Sequence, residues 1–71
     1  MAEIPNAVIK RILAKNGGGL RISGGAIEKA ATATEEFLAR LAHEAQASAD
    51  SNKRKTIMDA DIDIARSRIG G

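Results

Sequence analysis

The residues of this chain that could do chemistry fall into a few clusters. Asp59, Asp61 and Asp63 alternate like the opening ligands of a calcium loop, where carboxylates at odd positions converge on one cation. The spacing then fails: the sixth position should be Gly and is Ile64, and the twelfth should be Glu and is Gly70. The run "NGGGLRISGG" over 16–25 has the glycines of a phosphate loop but lacks the Gly-Lys-Ser/Thr that completes one. His43 is the sole histidine and cysteine is absent, so neither a zinc site nor a disulfide framework can be assembled. No nucleophile has a base beside it, and no enzyme activity, metal or cofactor is expected. The last cluster, Lys53-Arg54-Lys55, places three cations side by side, a chemistry suited to holding phosphate. Taken alone, such a block is as readily a solvated loop.

Placement of charge decides more than its sum. The formal net charge is only +2 although the pI is 9.4, a weak argument for nucleic acid. Lys10, Arg11, Lys15 and Arg21 fall in the first third, and Arg66 and Arg68 stand near the end. Between them Glu28, Glu35, Glu36 and Glu44 face only Lys29 and Arg40. Positive charge therefore gathers around two loops.

The elements that position these loops are helical. Ile4, Val8 and Ile12, with Ile9 and Leu13, make a helical stripe, and Pro5 suits a first turn; the first helix is expected over about 5–15. "NGGG" at 16–19 stops it, and Ser23 is a good N-cap for the next helix. From Gly24 to about Asp50 there is no proline, and Ile27, Ala30, Ala31, Thr34, Phe37, Leu38, Leu41, Ala42, Ala45 and Ala49 keep to one broad side. A helix of that length spans roughly 40 Å, more than two short helices can cover. A second chain is expected to cover the rest, which also supplies the support that a single core of 71 residues lacks. "SNKRKTI" then breaks the pattern, and Met58, Ile62, Ala65 and Ile69 mark a third helix at about 59–68. Ile64 points away from that stripe, and His43 lies on the polar face of the long helix. No run approaches the ~18 apolar residues of a membrane span.

The order short helix, "RIS" segment, very long helix, "RKTI" segment, short helix resembles an archaeal-type histone. "RKTI" at 54–57 followed by "DADIDIA" at 59–65 is similar to that family's second loop and third helix, and Arg21-Ile22-Ser23 to its first loop. The resemblance implies an all-α histone fold, with two short strand-like loops joining the helices, as one domain over 1–71 without tails. It also implies a head-to-tail homodimer in which the first loop of one chain lies beside the second loop of the other. The implied partner is double-stranded DNA, bent or wrapped without sequence preference, in a cytoplasmic, nucleoid-associated protein.

By the same resemblance, Arg21 enters the minor groove and Lys55 and Thr56 hold phosphates, with Ser23 and Lys53 beside them and Lys10 and Arg11 on a central patch. Arg54 is implied to pair with Asp61 for structure. Ile27, Thr34, Phe37, Leu38, Leu41 and Ala45 would form the dimer core. Relatives join dimers end to end through an apolar residue, a histidine and an acid; here Ser48, Ser51 and Asp61 stand at those places, with Ile64 still apolar and exposed. That surface is therefore expected to be weakened, and any tetramer to use another surface, around the glycine-rich loop and the polar side of the long helix. The rival expectation is a histone-fold interaction subunit that pairs with a different chain in a transcription-type complex.

Overall fold

Pro5 sets where helix formation begins. Its fixed φ suits a helix start, and its carbonyl accepts from the N–H groups of Val8 and Ile9 at 3.1 and 3.3 Å. Helix α1 follows as Asn6–Asn16, α2 as Gly24–Ser51 and α3 as Asp59–Ile69. The structure, a computed structural model, describes residues 4–70; residues 1–3 and 71 of the expected domain lie outside them. The described residues form three helices with a long central one and no strand. The two segments expected to be strand-like are connecting loops, 17–23 and 52–58. A ladder needs a second extended segment to exchange hydrogen bonds with.

Contacts divide the chain into two units, Met1–Glu36 and Phe37–Gly71. In the first, Ile9 of α1 and Ala31 of α2 are buried. The turn after α1 depends on glycine: a Cβ on Gly17 would come within 2.7 Å of the Leu13 carbonyl oxygen, and Gly18 and Gly19 hold φ of 68° and 81°. Asn16 secures the helix end by donating its side-chain N–H to the Ile12 carbonyl at 2.9 Å. Ser23 then caps α2, its hydroxyl accepting from the Ala26 N–H at 3.0 Å.

In the second unit, Ala45, Ser48 and Ala49 of α2 and Asp61 and Ala65 of α3 are buried. Alanines at helical spacing remove little apolar surface, so this contact is close but thin. Arg68 and Glu44 stand 3.8 Å apart on its exposed side, an ion pair of small consequence.

Ile9 is the one large apolar side chain among the buried residues; Ile12, Leu20, Leu38, Ile57, Met58 and Ile64 are exposed by 40% to 75%. Of the residues expected in a dimer core, Ile27, Thr34, Phe37 and Leu41 are half-buried and Leu38 is exposed. The Thr34 hydroxyl donates to the Ala30 carbonyl at 2.7 Å, so its polar atom is already satisfied. Ala45 departs from the expectation. Its own chain encloses it fully, which leaves no surface for a partner.

The expected end-to-end surface is corrected in the same way. Ser48 and Asp61 are 2% and 0% exposed and bond to each other inside the second unit, so neither can meet another molecule. Helical spacing explains Ser48, which falls three residues after Ala45 on the buried face. Ser51 and Ile64 do remain exposed.

Candidate functional site

Two loops carry the candidate residues, and the folding of each decides which side chains are free. In the first unit, loop 17–23 is held by the Leu20 N–H to Gly17 carbonyl bond at 3.3 Å and by the Ser23 cap. Ile22 is half-buried while Arg21 and Ser23 are exposed. The Ser23 hydroxyl spends its oxygen on the cap yet keeps its own proton to donate. Gly24 and Gly25 open α2 with no acid in the first turn, so no carboxylate there competes for the helix N-terminal N–H groups.

In the second unit, loop 52–58 is organised by one buried carboxylate. Asp61 Oδ2 accepts from Arg54 Nη1 at 2.6 Å and from the Met58 N–H at 2.8 Å; Oδ1 accepts from Arg54 Nη2 at 2.8 Å and from the Ser48 hydroxyl at 2.7 Å. The Arg54 fork thus grips the carboxylate with two bonds, and Nη1 also donates to the Thr56 carbonyl at 3.3 Å. These donors hold the Asp61 carboxyl well below its ordinary 3.8, the guanidinium first, then the Met58 N–H and the Ser48 hydroxyl. Every oxygen lone pair that burial strips of water has a donor, so the network is complete. It ties the end of α2, the loop and the start of α3 together, and it commits Arg54 to that task.

The α2 end is a Schellman arrangement. The Arg54 N–H bonds back to the Ala49 carbonyl and the Lys53 N–H to the Asp50 carbonyl, both at 2.9 Å. Lys53 occupies the left-handed position of the motif with φ of 56°, the one positive-φ non-glycine residue among the described residues.

With Arg54 committed, the candidate cations sort clearly. Lys10 and Arg11 on α1, Arg21 on the first loop, and Lys53 and Lys55 on the second are all exposed. None has an ion-pair or hydrogen-bond partner for its side chain among the described residues. Thr56 is exposed beside them with its carbonyl held by Arg54. Arg21 and Ser23 share the first unit with Lys10 and Arg11, whereas Lys53, Lys55 and Thr56 belong to the second. Sequence reasoning missed Ser48 as a ligand of Asp61, although its spacing from Ala45 carried the signal. It also missed the backbone of Lys53, for which no residue type at that position gives a sign.

A metal is not offered a site: among the described residues no group of three or more His, Cys, Asp or Glu side chains could hold one. No helix among them is long and apolar enough to cross a membrane. A scan against protein families matches residues 3–68 to the family described as Core histone H2A/H2B/H3/H4 domain. No solved structure matches the chain.

Proposed function

The chain belongs to the core histone family, which is non-enzymatic and whose members dimerise and bind DNA in chromatin; from that premise we propose an archaeal-type histone, one domain over 1–71, that forms a head-to-tail homodimer and bends duplex DNA without sequence preference. The observation that carries this reading is that Lys10, Arg11, Lys15, Arg21, Lys53 and Lys55, six cations on the loops and on α1, are exposed and without a side-chain partner among the described residues, while the one loop arginine that folding needs is taken up by Asp61. Cations held in place without intrachain carboxylates are suited to phosphates, and phosphate contact carries no sequence information. In the proposed dimer Arg21 and Ser23 of one chain lie beside Lys53, Lys55 and Thr56 of the other, forming two loop sites that flank a central patch of Lys10 and Arg11. Such spacing fits phosphates that face inward along bent DNA. The protein would then work on the cytoplasmic nucleoid. The heterodimeric interaction subunit is the rival reading, and free loop cations would have no task in it.

The test is binding to several unrelated duplexes over a range of salt. Some 6–10 phosphate contacts lead to a loss of roughly 10³–10⁵ in affinity between 50 and 200 mM salt, equal on every sequence. Replacing Arg21 or Lys55 with Ala should weaken binding to all of them with helicity unchanged. Equal binding by parent and both variants would sink the paired-loop site.

Further assembly is proposed through a surface other than the end-to-end one, since Ser48 and Asp61 point inward and Ser51 offers no apolar contact. The outward side of α2 within the first unit supports one. Glu28, Lys29, Thr32, Ala33 and Glu36 line an open groove there. An antiparallel second copy with its two-fold axis between Thr32 and Ala33 would set each Lys29 against the other copy's Glu36, with small residues at the centre, a self-complementary contact. Lys29→Glu is expected to reduce any tetramer to dimers in sedimentation, and Lys29→Glu with Glu36→Lys to restore it. Nuclease digestion giving a ladder in dimer-sized steps would show end-to-end stacking instead.

A further inference from the structure

Each asparagine of this chain is followed by a different kind of residue: Asn6 by Ala7, Asn16 by Gly17 and Asn52 by Lys53. The amide carbon of an asparagine side chain can be attacked by the backbone nitrogen of the next residue, a five-membered closure that a side chain on that residue obstructs and glycine leaves open. Asn16 and Asn52 otherwise match. Each stands at a helix end and donates its side-chain N–H to the carbonyl four residues back, Ile12 and Ser48, at 2.9 Å. They differ in the nitrogen that would attack. The Lys53 N–H is held by the Asp50 carbonyl at 2.9 Å. The Gly17 N–H makes no hydrogen bond of ordinary geometry with an acceptor among the described residues, whereas the N–H groups just after α2 and α3, of Asn52 and Gly70, bond back to Ser48 and Arg66 at 3.2 and 3.1 Å. Asn16 is exposed, and the glycines after it give the turn few side chains to hold it closed, so this helix end opens readily.

We propose that Asn16 is a site of spontaneous deamidation that weakens the first unit and its hold on DNA as the protein ages; the effect on affinity rests on the DNA reading above, and the modification itself does not. When the last turn of α1 frays, the Gly17 nitrogen bonds to Asn16 Cγ while its proton passes to Nδ2. The Cγ–Nδ2 bond then breaks, ammonia leaves and a succinimide remains. Water opens that ring at either carbonyl, giving aspartate or isoaspartate. In both products a neutral amide has become a carboxylate, so the formal net charge of +2 falls by one. The donor that met the Ile12 carbonyl is lost, and a negative charge stands at the C-terminal end of α1, where the helix dipole repels it. The new carboxylate enters a stretch in which Lys10, Arg11, Lys15 and Arg21 have no acid among them. Isoaspartate also lengthens the backbone by one methylene just ahead of the loop that carries Arg21.

The experiment incubates the purified full chain for days at mildly alkaline pH, which favours attack by the deprotonated nitrogen, and maps the products by peptide mass and by a methyltransferase specific for isoaspartate. The mass gain of an amide-to-acid exchange is expected at Asn16, with Asn6 and Asn52 unchanged. It should be absent at this position in Asn16→Gln, whose longer side chain would have to close a six-membered ring. Asn16→Asp, which fixes the charge of the product, and the aged parent should bind a fixed duplex roughly 3- to 10-fold more weakly at 0.1 M salt, through two added carboxylates per dimer. Asn16→Asp should also melt lower by about 2–6 °C. Asn16→Gln should keep its affinity through the incubation. An unchanged Asn16, or a gain at Asn52 that is equally fast, overturns the site. Modified chains that bind and melt like the fresh parent overturn its consequence. A fresh parent that fails to bind the duplex overturns the DNA reading, while the mass map still decides the site.

Discussion

Leu41→Glu is expected to yield a chain without cooperative helical structure at micromolar concentration. Leu41 is half-buried in its own chain, between half-buried Phe37 and buried Ala45 along α2, and the exposed side of Leu38 continues the same apolar surface. The buried apolar residues of its unit, Ala45, Ala49 and Ala65, are all alanines. A core so poor in volume cannot offset the conformational entropy of 71 residues, so in the proposed dimer association and folding are one event. Removing a leucine from the proposed interface loses roughly 1.5–3 kcal/mol, and seating a carboxylate there costs about 2 kcal/mol or more. A two-fold interface counts each change twice, which brings the sum near the about 5–15 kcal/mol that holds a domain together. Circular dichroism and sedimentation together check this. A compact, helical, stable monomer of the parent chain would defeat the argument at its root.

The second large effect lies at Asp61. Asp61→Asn keeps the shape of the side chain but replaces one acceptor oxygen by an N–H₂ group, which then faces two donors, Arg54 together with either Met58 or Ser48. An N–H₂ donor then faces other donors where Asp61 is fully enclosed and Arg54 is 34% exposed. Breaking a buried pair from one side is more damaging than never having built it, and the midpoint should fall by about 10 °C or more. The pH dependence has a definite sign. Because folding lowers this carboxyl below its ordinary 3.8, the unfolded chain binds the proton more readily. The stabilisation is complete above the ordinary value and is withdrawn as pH falls below it toward the depressed folded value. Melting curves of the parent and Asp61→Asn should therefore stay separated at a constant gap from pH 5 to 8 and draw together below about pH 3. A gap that widens in acid would show that another group governs the difference.

These two residues also show how far the bare sequence could be read. The helix ends were legible because "NGGG" and "SN" interrupt clear periodicities, and Ser23 announces its cap by type alone; the ends lie within a residue of expectation. The half-burial of Phe37 and Leu41 follows from their place on one broad stripe. Ser48 was harder, because a polar residue on an apolar stripe reads as a boundary until a buried acid is known to accept its proton. Periodicity alone implied more partner-facing surface at Ala45 than exists, since it tells which face is buried and not which chain buries it. The left-handed backbone of Lys53 had no sequence signal, because residue type is a guide to positive φ only for glycine and asparagine. Free cations were legible as a cluster but not as individuals: which of three adjacent charges is consumed by folding depends on where Asp61 sits.

The bonds that close the second unit are short in sequence, joining Arg54 to Asp61 across seven residues and Ser48 to Asp61 across thirteen. Contacts this local require little loop-closure entropy and form on a scale of about microseconds. The helical hairpin of α2, loop and α3 can thus be sampled by a nascent chain before any partner arrives. What is slow is the meeting of two chains, so the rate of assembly is set by diffusion and dosage instead of by topology. In the proposed homodimer, encounter scales with the square of the chain concentration, so a cell that makes more of this protein assembles the dimer disproportionately faster.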